Sequence, residues 1–88
     1  VVSSPAHADD ARVVVYSRVG CHLCEVAEQA VAEICADTGD SWLRVEIDSD
    51  ADLAARFTEQ VPVTFVDGKQ HDFWRVDERR LRGALARR

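Results

Sequence analysis

Cys21 and Cys24 stand three apart in the run S-R-V-G-C-H-L-C-E-V at residues 17–26. Thiols at this spacing serve one of three chemistries: metal ligation, a fixed disulfide, or reversible exchange. A structural zinc site wants four ligands, usually as two pairs. This chain has one Cys-x-x-Cys pair, and only His22 and His71 could be conscripted beside it. His22 lies between the cysteines and points elsewhere if they open a helix, so no metal is expected. A fixed bridge here would close a very short loop, which gives little entropic stabilisation. Side chains three apart on a helix have Cβ atoms about 5–6 Å apart, close enough to cross-link and reopen with little backbone movement. Reversible exchange accounts best for the spacing. Cys21 would sit where a helix presents unpaired N–H groups and its positive end, with Arg18 and protonated His22 nearby. These favour the thiolate, which is the reactive species. Cys24, one turn deeper, can attack a mixed disulfide formed at Cys21. Cys35 lies about 16 Å further along the same helix, too far to bridge, and reads as a small buried hydrophobe.

The surrounding pattern supplies elements to hold such a pair. R-V-V-V-Y at 12–16 is a β-branched run without alternation, as in a strand buried on both faces. Residues 17–20 break it. A helix follows from Cys24 to about Asp37, with Ala27, Ala30, Val31 and Ile34 as its apolar stripe and Gly39 past its end. Leu43, Val45 and Ile47 alternate with polar neighbours and Trp42, predicting a strand near a sheet edge. Asp48, Ser49 or Asp50 can cap a second helix whose stripe is Leu53, Ala54 and Phe57. Val63–Val66 reads as a third strand, Asp67-Gly68 as a hairpin turn, and residues 71–75 as a fourth strand on which Phe73 and Trp74 alternate. Asp77 caps a last helix with Leu81, Ala84 and Leu85 on its inner face, and Arg87 and Arg88 near its end suit the helix dipole. The order β-α-β-α-β-β-α, with parallel crossovers first and an antiparallel hairpin last, limits the fold to small α/β sandwiches around one mixed four-stranded sheet.

At 88 residues the chain forms one domain, with residues 1–10 as a flexible arm and 11–88 as the folded part. The formal net charge of -5 argues against a general nucleic-acid binder. The arginines at 79, 80, 82, 87 and 88 read as a solvated helix face. No apolar run approaches the ~20 residues of a membrane span. No basic start precedes an apolar stretch, so no signal peptide is expected, although prior processing would hide one. Three cysteines without the dense spacing of a stapled secreted domain suit a reducing cytoplasm. A monomer is expected.

Y-S-R-V-G-C-H-L-C, the later V-P-V-T-F-V-D-G and the element order together resemble the glutaredoxin branch of the thioredoxin fold, over roughly residues 12 to 87. Small bacterial glutaredoxin-like proteins are similar in both motifs. The resemblance implies that Cys21 attacks and Cys24 resolves. It implies a cis Val61-Pro62 bond, with the Val61 backbone pairing to an extended thiol substrate. Arg18 matches a basic residue that helps hold a glutathione carboxylate, and Asp77 matches the Asp at the γ-glutamyl end. The Gly-Gly pair usual before that Asp is missing, and H-D-F-W-R-V-D-E stands there. The usual aromatic between the thiols is also missing. Glutathione is the only co-substrate implied, and poor docking of it is expected.

The resulting expectation is dithiol–disulfide exchange with protein or low-molecular-weight disulfides, reduced in turn by a reductase or a small thiol. Two alternatives stay open: a non-catalytic binding module using the Val61 edge, and a glutathione-dependent iron–sulfur carrier.

Overall fold

A computed structural model describes residues 11–86. The arm assigned to residues 1–10, and Arg87 and Arg88, lie outside the described residues. The run after Arg12 forms β1 (Val13–Ser17), every residue of which is buried. It is followed by α1 (His22–Thr38), β2 (Trp42–Glu46), a 3-10 turn (Ile47–Ser49), α2 (Ala51–Phe57), β3 (Val63–Val66), β4 (Lys69–Phe73) and α3 (Glu78–Ala86).

Continuous burial places β1 inside the sheet, whose order is β2-β1-β3-β4. Its two faces feed two cores. Val13 and Val15 pack with Val31, Ile34 and Cys35 of α1 and Leu81 and Leu85 of α3. Val14 and Tyr16 face the other way, against Val45, Ile47, Phe57, Val63 and Phe65. The result is an α/β/α sandwich.

The crossovers depart from expectation. β1 and β2 are parallel, but β3 runs antiparallel to β1. Only the first crossover is therefore parallel, and the connection through α2 delivers β3 to the other side of β1. β2 is an edge strand, as its alternation predicts. Trp42 nevertheless packs on the face opposite Val45.

Local rules explain most boundaries. Gly39 ends α1 at φ 78, donating its N–H to the Cys35 carbonyl. Asp50 caps α2, its carboxylate accepting the Asp52 and Leu53 N–H groups. Asp67 and Gly68 both have positive φ, 53 and 82, the geometry of a two-residue hairpin turn. That turn sets Lys69 opposite Val66, so β4 covers Lys69–Phe73 rather than 71–75. Trp74, at φ 65, has left the strand.

One arginine ties distant pieces together. The Arg12 guanidinium donates to Asp40 at 2.9 Å, Asp67 at 3.0 Å and the Leu85 carbonyl at 2.8 Å. It thereby joins the start of β1, the end of α1, the hairpin and the last turn of α3, where a cation suits the helix dipole.

His71 gives the fold a pH dependence. Burial and the nearby Arg80 lower its pKa from 6.5, against the opposing pull of Asp72 and Asp77. The folded chain therefore takes up this proton at lower pH than the unfolded chain. The stability it contributes is complete above about pH 6.5 and is lost as pH falls through the folded value. The melting temperature should drop between pH 7 and pH 5.5, and His71→Gln should flatten that drop in a calorimetric pH series.

Candidate active site

The site is built at the sheet end where β1 stops. Cys21 is the N-cap of α1, and its Sγ accepts the Cys24 N–H at 3.1 Å. The helix starts at His22, two residues earlier than its apolar stripe suggests, because the cysteine sulfur does the capping. Cys21 and Cys24 are joined as a disulfide, with Cα atoms 5.2 Å apart. Cys21 is partly exposed and Cys24 fully buried. Of the two residues only Cys21 is exposed in part, and its sulfur receives the helix N–H.

Cys35 is free and buried in the α1–α3 core, where loss of water raises its pKa. His22 is exposed on α1 and His71 lies on β4. Among the described residues no three His, Cys, Asp or Glu side chains gather as a set of metal ligands.

Tyr16 pairs with Val63 across the β1–β3 ladder, so the segment just before β3 lies beside the segment just after β1. Val61 and Pro62 are thereby brought to the end of the sheet that carries Arg18 and Cys21. The Val61-Pro62 bond is cis and Pro62 is buried. The Val61 N–H donates to the Phe57 carbonyl at 3.2 Å. Its carbonyl makes no hydrogen bond among the described residues.

Arg18 is engaged within the chain. Its guanidinium grips Asp48 through two bonds of 3.1 Å and donates to Thr58 Oγ1 at 2.9 Å. Asp48 and Thr58 were not among the sequence candidates. A signal for Asp48 existed, since parallel strands end at one edge: Arg18 follows β1 and Asp48 follows β2. Asp77 sits at the entrance of α3, where its Oδ1 accepts the Arg80 N–H and its own N–H donates to Asp72.

Trp74, expected on the fourth strand, instead ties down the segment before β3. Its N–H donates to the Pro62 carbonyl at 2.7 Å and the Gln60 carbonyl at 3.3 Å, and its indole N–H to the Glu59 carbonyl at 2.8 Å. A bulky residue at positive φ is strained and persists only where its surroundings hold it. Three hydrogen bonds to residues 59–62 do so here. Trp74, Arg75, Val76 and Glu78 line one side of a groove of about 310 Å³, and Leu23, Val26, Ala27 and Ala30 of α1 line the other.

A mixed four-stranded sheet, helices on both faces and a Cys-x-x-Cys pair at a helix mouth define a thioredoxin-fold protein with a redox pair. Residues 12–86 match the glutaredoxin-like domain (DUF836), and the chain belongs to that family. The Mycobacterium tuberculosis protein named "Uncharacterized protein Rv0508" is 33% identical over 81 residues, spanning 86% of this chain and 84% of the relative. The X-ray structure of protein XcR50 from X. campestris is similar with a TM-score of 0.69 at 36% identity, over 84% of this chain and 95% of that one. The holo form of glutaredoxin C1 from Populus tremula x tremuloides gives a TM-score of 0.56 at 28% identity, over 90% of this chain and 87% of that one. Among the described residues no helix is long and apolar enough to cross a membrane.

Proposed function

We propose that this protein is a thiol–disulfide oxidoreductase working through Cys21 and Cys24. The Cys21 thiolate attacks a substrate disulfide, a mixed disulfide forms, and one substrate thiol leaves. Cys24 then attacks Cys21 Sγ, the second thiol leaves, and the protein is oxidised by two electrons. The observation that supports this reading is the division of the pair: a partly exposed cysteine whose sulfur accepts a helix N–H, and a buried one a single turn away. In this reading the Val61 backbone pairs with an extended substrate. Substrates are protein or small-molecule disulfides, the acting species is a monomer, and a reducing cytoplasm suits it. Re-reduction comes from a reductase or a small thiol other than tightly docked glutathione, since Arg18 and the Asp77 N–H are already bonded within the chain.

Thiol counting against a redox buffer tests this. The fully reduced protein should label rapidly at Cys21 alone, and Cys24 and Cys35 should label on unfolding. Across the titration Cys21 and Cys24 should lose label together with a two-electron slope of about 30 mV per tenfold, while Cys35 stays free. A pair that never closes, or that closes only through Cys35, would refute the exchange role.

A further inference from the structure

Ser17 ends β1 and is 0% exposed, and its hydroxyl oxygen finds no hydrogen-bond partner among the described residues. A buried polar group left unpaired is uncommon and carries a desolvation cost. Strand alternation shows what it faces. Ser17 shares a face with Val13 and Val15, which pack against Val31, Ile34 and Cys35 of α1. α1 runs back along that face. The Val13 N–H donates to the Ser41 carbonyl and the Arg12 guanidinium to Asp40, so the end of α1 lies at the start of β1. The first turn of α1 accordingly lies over the end of β1, and the buried residue of that turn is Cys24, 0% exposed. Ser17 and Cys24 occupy the same end of the same dry layer.

While the Cys21–Cys24 bridge is closed, the hydroxyl has little to bond there. A disulfide sulfur carries no proton and no charge and is a weak acceptor. Once the bridge opens, Cys24 becomes a thiol or a thiolate in a place closed to water. A charge in such a place is costly unless a donor meets it.

We propose that the Ser17 hydroxyl hydrogen-bonds the Cys24 sulfur once the bridge is reduced, and thereby supports the resolving thiolate in its attack. This rests on the exchange reading above and assigns that reaction a further residue. In the resolving step Cys24 gives its proton to solvent and its sulfur bonds to Cys21 Sγ. The bond from Cys21 to the substrate sulfur breaks, the electron pair leaves with that sulfur, and the departing thiolate takes a proton from solvent. Ser17 keeps its own proton throughout. A group that bonds the reduced form and not the oxidised one favours the dithiol and makes the reduction potential less negative.

Ser17→Ala deletes the hydroxyl and keeps the rest of the side chain, and three measurements on it test the proposal. In a redox-buffer titration the dithiol/disulfide equilibrium should move at least about fivefold towards the disulfide, a midpoint about 20 mV more negative at about 30 mV per tenfold. In single-turnover oxidation by bis(2-hydroxyethyl) disulfide, the mixed disulfide at Cys21 should form at the parent's rate. Its closure to the Cys21–Cys24 bridge should slow at least about fivefold at neutral pH, because an unsupported thiolate forms less readily. In calorimetry the oxidised variant should melt no lower than the oxidised parent, since the hydroxyl it lacks was unpaired, while the reduced variant should melt below the reduced parent. An unchanged midpoint with an unchanged closure rate would overturn the inference and leave the exchange reading standing. Equal losses of melting temperature in both redox states would mark Ser17 as a packing residue and overturn it likewise. A slowed first step with normal closure would assign the hydroxyl to Cys21, again overturning it. A parent protein whose pair never closes would remove both readings.

Discussion

Cys21→Ser should abolish disulfide exchange, and Cys24→Ser should not abolish the first half of it. The two cysteines differ in access, with Cys24 fully buried and Cys21 partly exposed. They also differ in electrostatics. Cys21 Sγ receives the Cys24 N–H at 3.1 Å, where the start of α1 stabilises negative charge. A serine hydroxyl at 21 keeps the cap but stays protonated at neutral pH, so nothing attacks. In Cys24→Ser the attack at Cys21 proceeds and halts at the mixed disulfide. Intact-mass measurement after mixing with a disulfide should show one added substrate half in Cys24→Ser and none in Cys21→Ser. An adduct on Cys21→Ser with an unreactive Cys24→Ser would reverse the roles.

The elements that carry this chemistry were readable because their signals are local. A β-branched run after Arg12 suits a buried strand, and the stripe Ala27, Val31, Ile34 suits a helix packed against it. Asp67-Gly68 forces a hairpin by backbone conformation alone. The pair itself was readable from one residue type and one spacing. What the sequence withheld depends on partners far along the chain. Arg12 looked like the first residue of a strand, yet its guanidinium answers to residues 28, 55 and 73 positions away. The Arg18 guanidinium pairs with Asp48, 30 positions away, a contact no local signal announces. The end of β4 was misplaced because nothing local predicts positive φ at a tryptophan. That conformation follows from hydrogen bonds to residues 59–62.

Phe57→Ala should remove most of the stability of the fold while acting on the site only indirectly. Phe57 is 2% exposed and packs its ring against Tyr16 at 5.0 Å and Phe65 at 6.0 Å between centroids. It is the residue through which short α2 enters the second core. Truncating a buried Phe to Ala costs about 3–5 kcal/mol. Small domains hold about 5–15 kcal/mol in total, and a chain this short belongs at the low end. The melting temperature should fall by at least about 10 °C, since each kcal/mol shifts a domain of this size by about 4–8 °C. Phe57→Leu keeps most of the volume and should cost about 1 kcal/mol. The backbone carbonyl of residue 57 still accepts the Gln60 and Val61 N–H groups in either variant. The cysteine pair sits on α1, which packs in the opposite core. Measured well below the new midpoint, the exchange rate of Phe57→Ala should therefore stay within about threefold of the parent, a change of under 1 kcal/mol. A melting temperature within a few degrees of the parent would mean that α2 and its core contribute little to the cooperative unit. A rate collapse in protein that is still folded would mean that the Phe57–Pro62 segment positions substrate more tightly than one backbone carbonyl implies.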